Sequence, residues 1–471
     1  MQRWPLYLFI ISFGLRLVNL GGSLFWYDEA FTAFMTRMDF PATLAAVRAD
    51  THPPLFYAIE WATRHLIGDS EFALRLPAAL FGSAAVAACY FLVNHLQGPD
   101  PARWASGLLA VMPGQLYYSQ EARMYSLLTL LVIVAAYGIL IRRWLITGVA
   151  LVLIVYTQNL GGLYVLILGG WSLISSRGRA FKSLAIPAIG YLPQAVIAFE
   201  QFSAVGNRFW IADPANIGGA LYYLGYTTVF VRLPEVLQLH GFIAAMAFSV
   251  ASLIALRHDW KRLLPVIALA FGPALLMFGA SKLWKPIILD RALLPSGAFV
   301  VMLWGLALAK LGPRIRLPLA AVGLPVLLVA FAFYYIDPNE HRPKDNPLRD
   351  IIEAQWKPGD AIYHINIDSL IGADYYLQGK PAFLLPQHGD LAQSLSDPTR
   401  QAMGIMDRQV WPGQLKALGY KRIWVPALTS IVTSQFELDF QIDLIDSLRV
   451  LAYWPIEIQK LQTLELYLLR L

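Results

Sequence analysis

Cysteine and charge are what this chain has least of. A single cysteine, Cys89, stands among 471 residues, so neither an internal disulfide nor a cysteine-built zinc site can form. It lies inside an apolar run and reads as a small buried residue. Charged residues make up 14% of the chain against 57% hydrophobic, where a soluble globular chain carries about 25% charged. That shortage excludes an ordinary soluble protein and places most of the chain in lipid. The net charge of +6 does not signal nucleic acid, because the lysines and arginines fall in short clusters between apolar runs rather than on one basic face. Internal repeats and low-complexity tracts are also lacking. The first twenty residues lack the signal-peptide pattern: Arg16 interrupts their apolar core, and no small-residue cleavage site precedes Asp28. The segment is expected to be a retained first span.

Long apolar runs are what the chain has in abundance. A spanning helix needs about 20 largely apolar residues. Candidate spans fall near 4–20, 74–96, 102–118, 124–141, 145–158, 160–175, 183–199, 238–256, 263–280, 293–309 and 317–335. Arg142-Arg143, Arg177/Arg179/Lys182, Arg257/Lys261/Arg262 and Lys310/Arg314/Arg316 stand at alternate ends of successive spans, and Arg3 and Arg103 fit the same side. By the positive-inside rule that side is cytoplasmic. The expected fold class is therefore an α-helical polytopic membrane protein with about eleven transmembrane helices and a small C-terminal extracytoplasmic α/β domain. Its expected location is the plasma (inner) membrane, multi-pass, with the N-terminus in the cytoplasm. The loop at Asp28, the turn at Glu121 and the loop at Asp290-Arg291 then share the outer face.

The expected domains are a transmembrane part over 1–336 with an extracytoplasmic loop at 21–72, a polar, proline-containing linker at 337–345, and an α/β part over 346–471. Within the loop, Asp39 is a helix N-cap with Pro41 just inside, predicting a short helix from Phe40 to Ala49. A second helix is predicted from Phe56 to Ile67, both amphipathic and lying on the membrane surface. Strands are predicted at Ala361–Ile365 and Arg422–Pro426, and helices at Leu348–Gln355 and Pro412–Leu418.

Polar residues at the edge of lipid carry the chemistry. Asp28 and Glu29 follow the first span among Phe25, Trp26, Tyr27 and Phe31, aromatics that seat them at headgroup level. Acids there usually mark function, although Asp28 could simply cap a helix beginning at Glu29. Glu121 and Arg123 close the third span. Arg suits phosphate because its planar donors engage two oxygens, while a local ion pair ending a helix explains the same residues structurally. His52 precedes Pro53-Pro54 and could bond an acceptor, ligate a metal or serve the turn. No second His or acid stands at metal-ligand spacing from it. Lys282, Lys285 and Arg291 gather on the side where topology does not call for cations; they suit either a leaving phosphate or anionic headgroups. Arg16 and Arg75, near outer span ends, could pair with these acids and hold the bundle together.

Together these segments resemble the glycosyltransferase C superfamily, near the family 39 branch that includes protein O-mannosyltransferases and undecaprenyl-phosphate aminoarabinose transferases. The resemblance covers roughly residues 1–336. It rests on Asp28-Glu29, His52-Pro53-Pro54-Leu55, Arg75-Leu76-Pro77, Gln120-Glu121-Ala122-Arg123-Met124-Tyr125 and Asp290-Arg291-Ala292-Leu293-Leu294-Pro295, in that order. Ala292 stands where an aromatic is common in relatives. The resemblance implies an inverting membrane glycosyltransferase that moves a sugar from a polyprenyl-phosphate donor to a hydroxyl of a lipid, glycan or protein acceptor on the outer face. It implies Asp28 as catalytic base and Glu121 at an acceptor or metal site, to which Glu29 and His52 are also assigned from their own residue types. Lys282, Lys285 and Arg291 are implied to bind the donor phosphate, and the guanidinium of Arg123 is expected to join them. It fixes no cofactor and leaves a divalent metal ion as the one candidate. A polytopic transporter or lipid flippase is the competing reading, but such proteins tend to show paired repeats and broken helices at the midplane, whereas here the polar residues gather at one face.

Overall fold

The computed structural model describes residues 3–176, 181–204, 216–231, 233–284, 286–336, 347–386, 395–428, 454–461 and 464–470. The linker expected at 337–345 lies outside them. By internal contact the chain divides into two compact units, Met1–Ser23 with Thr51–Arg342, and Leu24–Asp50 with Pro343–Leu471.

In chain order the helices are α1 (Trp4–Leu17), α2 (Tyr27–Met35), α3 (Phe40–Ala49), α4 (Leu55–Leu66), α5 (Glu71–Gln97), α6 (Pro99–Val111) and α7 (Pro113–Tyr118). Next come α8 (Tyr125–Leu140), α9 (Trp144–Thr157), α10 (Gly162–Ser176), α11 (Phe181–Ala204), α12 (Ile217–Gly225) and α13 (Glu235–Ala255). The helical series closes with α14 (Trp260–Leu283), α15 (Leu294–Lys310), α16 (Pro313–Ile336), α17 (Pro347–Gln355), α18 (Ile367–Tyr376), α19 (Asp397–Ala402) and α20 (Pro412–Ala417). Five strands join them: β1 (Asp360–His364), β2 (Ala382–Leu384), β3 (Arg422–Leu428), β4 (Trp454–Leu461) and β5 (Leu464–Arg470).

Every apolar run expected to span carries a helix. The run at 102–118 carries two, because Pro113 removes a donor and drives Met112 to an extended conformation. Among the described residues five helical stretches are long and apolar enough to cross a membrane: Glu71–Gln97, Asn159–Ser176, Val236–Ala255, Arg257–Leu283 and Asp290–Lys310. Three shorter apolar helices, α1, α8 and α9, accompany them. The chain is a multi-pass membrane protein.

In the helical unit α15 is the buried centre, with every side chain from Leu294 to Leu308 enclosed. Apolar side chains gain little from leaving lipid for a protein interior, so helices in lipid must meet by close packing of small residues. Gly305 does this against α6, where a Cβ would come within 2.3 Å of Ala105 Cα. Gly98, at φ +91°, ends α5 and starts α6 in a conformation other residues rarely adopt.

In the second unit the sheet order is β2-β1-β3-β5-β4. β1 runs parallel to β2 and β3, whereas β5 is antiparallel to β3 and β4. Alternation along the strands divides the core in two. Tyr363, Ile423 and Val425 pack with Leu385 and Leu415, while Ile362 and Trp424 pack with Ile352, Ala373 and Leu377. Arg422 grips Asp360 through two bonds of 2.8 and 2.6 Å.

Candidate functional site

The turn between α7 and α8 carries Glu121 and Arg123, both buried. It is tight: the Arg123 N–H donates to the Glu121 carbonyl at 2.7 Å. Arg123 Nη2 lies 2.9 Å from His52 Nε2. A guanidinium only donates, so Nε2 accepts and the His52 proton sits on Nδ1. Arg123 Nη1 donates to the Tyr57 hydroxyl at 3.3 Å, and the Tyr57 ring meets His52 edge-on at 5.9 Å. The carbonyls of Thr51 and His52 are held by side chains. Asn159 donates to the Thr51 carbonyl at 2.8 Å and to Gln201 at 3.2 Å. Gln201 in turn donates to the His52 carbonyl at 3.5 Å. His52 and Arg123, 71 residues apart, thus share one braced cluster.

The Asp290–Arg291 turn is secured from several helices. The Tyr118 hydroxyl donates to Asp290 Oδ2 at 3.1 Å, and Thr227 Oγ1 donates to the Asp290 carbonyl at 2.8 Å. Thr227 belongs to a short π-helix, Tyr226–Phe230, a form frequent at functional sites. Glycine at 114 lets α7 approach it: a Cβ there would meet the Thr227 carbonyl oxygen at 1.6 Å. Just beyond, the Tyr164 hydroxyl donates to the Ala292 carbonyl at 3.0 Å, and Gln115 donates to the Leu294 carbonyl at 3.0 Å. The Arg291 guanidinium lies over the Tyr125 ring, 5.9 Å from its centroid, so this turn and the α7–α8 turn come together through Tyr118 and Tyr125.

The remaining expected residues divide by role. Lys282 is exposed at the end of α14, its ammonium 5.9 Å from the Phe278 ring. Lys285 lies outside the described residues. Arg16 and Arg75 are buried and bond carbonyls: Arg75 donates to Leu20 and Ser23, each at 2.9 Å, and Arg16 to Ser12 at 3.2 Å. Among the described residues no three His, Cys, Asp or Glu side chains group closely enough to hold a metal ion. Sequence reasoning missed Tyr57, Tyr118, Asn159, Gln201 and Thr227. The available signal was polarity itself, since Asn159 and Gln201 are amides at the ends of apolar segments.

Asp28 and Glu29 belong to the second unit. Trp26, not Asp28, is the N-cap of α2. Glu29, in the third helical position, accepts from the Trp26 N–H at 3.4 Å and is buried. Asp28 is half-buried in the first turn, where carboxylates suit the helix dipole. Burial, with Asp368, Asp28 and Asp50 nearby, holds the Tyr27 hydroxyl well above its ordinary range.

Residues 51–206 match the sequence profile of a family described as dolichyl-phosphate-mannose-protein mannosyltransferase, a segment that contains His52, Glu121 and Arg123. The crystal structure of ArnT from Cupriavidus metallidurans in the apo state superposes with a TM-score of 0.68 at 15% identity, covering 99% of this chain and 97% of that one. The chain has an ArnT-like fold. The same ArnT bound to undecaprenyl phosphate gives a TM-score of 0.64 at 16% identity, over 99% of this chain and 98% of that one. An oligosaccharyltransferase from Archaeoglobus fulgidus, tethered to an acceptor peptide, is a looser structural match. Its TM-score is 0.53 at 11% identity, over 99% of this chain and 74% of that one. Curated protein sequences gave no match.

Proposed function

We propose that the chain is an inverting membrane glycosyltransferase, moving a sugar from a polyprenyl-phosphate donor to an acceptor hydroxyl on the outer face of the membrane. The observation that carries the reading is the buried Arg123, braced by His52 and Tyr57 and joined through Tyr125 to Arg291, in a fold like that of an ArnT crystallised with undecaprenyl phosphate. Two arginines tied to one turn suit a phosphate, whose oxygens match the guanidinium fork.

In this reading Arg123 and Arg291 hold the donor phosphate, with Lys282 and Lys285 as further cations at the same step. The acceptor oxygen attacks the anomeric carbon as the carbon–oxygen bond to phosphate breaks. The bond pair leaves with the polyprenyl phosphate, and the acceptor proton passes to the Asp28 carboxylate. A carboxylate is a weak base, so it acts late, once the attacking hydroxyl has become acidic. Cations facing the departing phosphate stabilise the charge that grows there. Glu29, His52 and Glu121 serve the acceptor side. Attack from the side opposite the phosphate inverts the anomeric centre.

The test uses the full chain in proteoliposomes with labelled polyprenyl-phosphate sugars and acceptor extract from the native membrane. Label should leave the lipid for an acceptor with inverted configuration by NMR, and free undecaprenyl phosphate should compete. Labelled donor that crosses the bilayer chemically unchanged would overturn the reading in favour of a flippase.

A further inference from the structure

Residues 24–50 cluster with the C-terminal unit, and one helix of that unit, α18, supplies most of the grip on α2. The Phe25 N–H, at the entry to α2, donates to the Tyr376 hydroxyl at 2.7 Å. The Phe25 ring meets Tyr375 edge-on at 4.9 Å. Near the other end of the segment Arg37 pairs with Asp374 at 2.6 Å, and Arg408 closes on the other oxygen of the same carboxylate. Both guanidiniums lie 5.9 Å from the Phe34 ring of α2. The loop's exit is held by α19, where the Thr399 hydroxyl donates to the Ala49 carbonyl at 3.0 Å.

α18 is itself fixed to the sheet. Asn366 caps it by accepting from the Ser369 N–H at 2.8 Å, and His364 at the end of β1 bonds the Ser369 hydroxyl at 2.9 Å. The Asp374 carboxylate is only 11% exposed, while Arg37 and Arg408 keep 29% and 35%, and a partly enclosed carboxylate shared by two arginines holds best where the geometry is well met. Such a bridge is therefore a specific clamp rather than general adhesion.

We propose that the C-terminal α/β unit is the support for the catalytic segment, with Asp374 and Tyr376 of α18 as positioning residues that set α2 and so aim Asp28. The inference rests on the reading of Asp28 as the general base. Misplacing a reacting group by about 1 Å can cost roughly 10²-fold in rate, so a loosened clamp should lower kcat while donor recognition persists.

The experiment compares the full-length wild type with Asp374→Asn, Asp374→Glu, Tyr376→Phe and Asp28→Asn, in the same proteoliposomes with the same labelled donor. Asp374→Asn and Tyr376→Phe should lower kcat by about 10²-fold, with the donor KM and competition by undecaprenyl phosphate unchanged. Asp374→Glu should recover part of the loss. Hydrogen exchange should quicken at the amides of α2 while β1 and β3 keep their protection. Tyr376→Phe removes one hydroxyl and should leave the fold intact, so it decides the matter if Asp374→Asn misfolds. Wild-type kcat in both variants beside an inactive Asp28→Asn would overturn the positioning role alone. Full activity of Asp28→Asn would instead remove the base assignment on which it rests.

Discussion

Arg123 meets two partners at once, His52 Nε2 at 2.9 Å and the Tyr57 hydroxyl at 3.3 Å, which a planar fork can do and an ammonium cannot reproduce. Arg123→Lys should raise the donor KM by about 10- to 100-fold, from the roughly 1.5–3 kcal/mol carried by a hydrogen bond to a charged group. Steady-state kinetics read this directly, and an unchanged KM would remove Arg123 from the phosphate site. His364 provides a pH test in the other unit. Burial pushes it down to about 3, opposed by Asp374 and assisted by Arg408, while an unfolded His titrates near 6.5. The unfolded chain therefore binds the extra proton first. The stability this group contributes is complete above about pH 6.5 and falls toward pH 3, by roughly 1.4 kcal/mol per unit. Asp360 acts in the same direction. Burial tends to raise it, but the bonds from Arg422, the Lys357 N–H and Trp424 hold it below the usual carboxylate range, and that gain is lost as pH falls. Hydrogen exchange at 360–364 and 422–428, corrected for intrinsic rates, should show protection falling between pH 7 and 5; flat protection would contradict it. The sequence marked His52 and Arg123 singly, by residue type and by resemblance. Their pairing across 71 residues was not legible, because it depends on how α4 and α8 are brought together.

Helices were the most readable elements, since lipid demands long apolar stretches and each such run carries a helix. Local chemistry was legible too: Asp39 caps α3, accepting from the Ala42 N–H at 2.8 Å, as its place before Pro41 predicted. The break at Met112 was equally available in Pro113, but the apolar run on both sides masked it. Close helix crossings were not legible, because a glycine in an apolar helix has the same sequence signature whether it faces lipid or a neighbour. Gly305 tests that crossing. Gly305→Val places carbon where α6 backbone already stands and should destabilise the helical unit by about 1–3 kcal/mol. The melting midpoint of the full chain in detergent should drop accordingly. An unchanged midpoint would mean that α6 and α15 can separate without cost.

At the scale of the molecule, the chain is a polytopic helical membrane protein with a small C-terminal α/β unit, in an ArnT-like fold. Apolar runs and alternating strands announced both parts. The grouping of residues 24–50 with the C-terminal unit has no comparable sequence signal, because its decisive bond, Phe25 to Tyr376, spans 351 residues. Nothing in the local pattern of either segment requires the other. The role proposed for Asp28 is that of base in a sugar transfer from a lipid phosphate. The most direct measurement is the rate of label transfer from a polyprenyl-phosphate sugar by the wild type and by Asp28→Asn, at equal amounts of folded protein. Asp28→Asn should lose about 3–5 kcal/mol of barrier lowering, a fall of roughly 10²–10⁴-fold, with donor binding retained. Transfer by Asp28→Asn at a rate close to that of the wild type would contradict it.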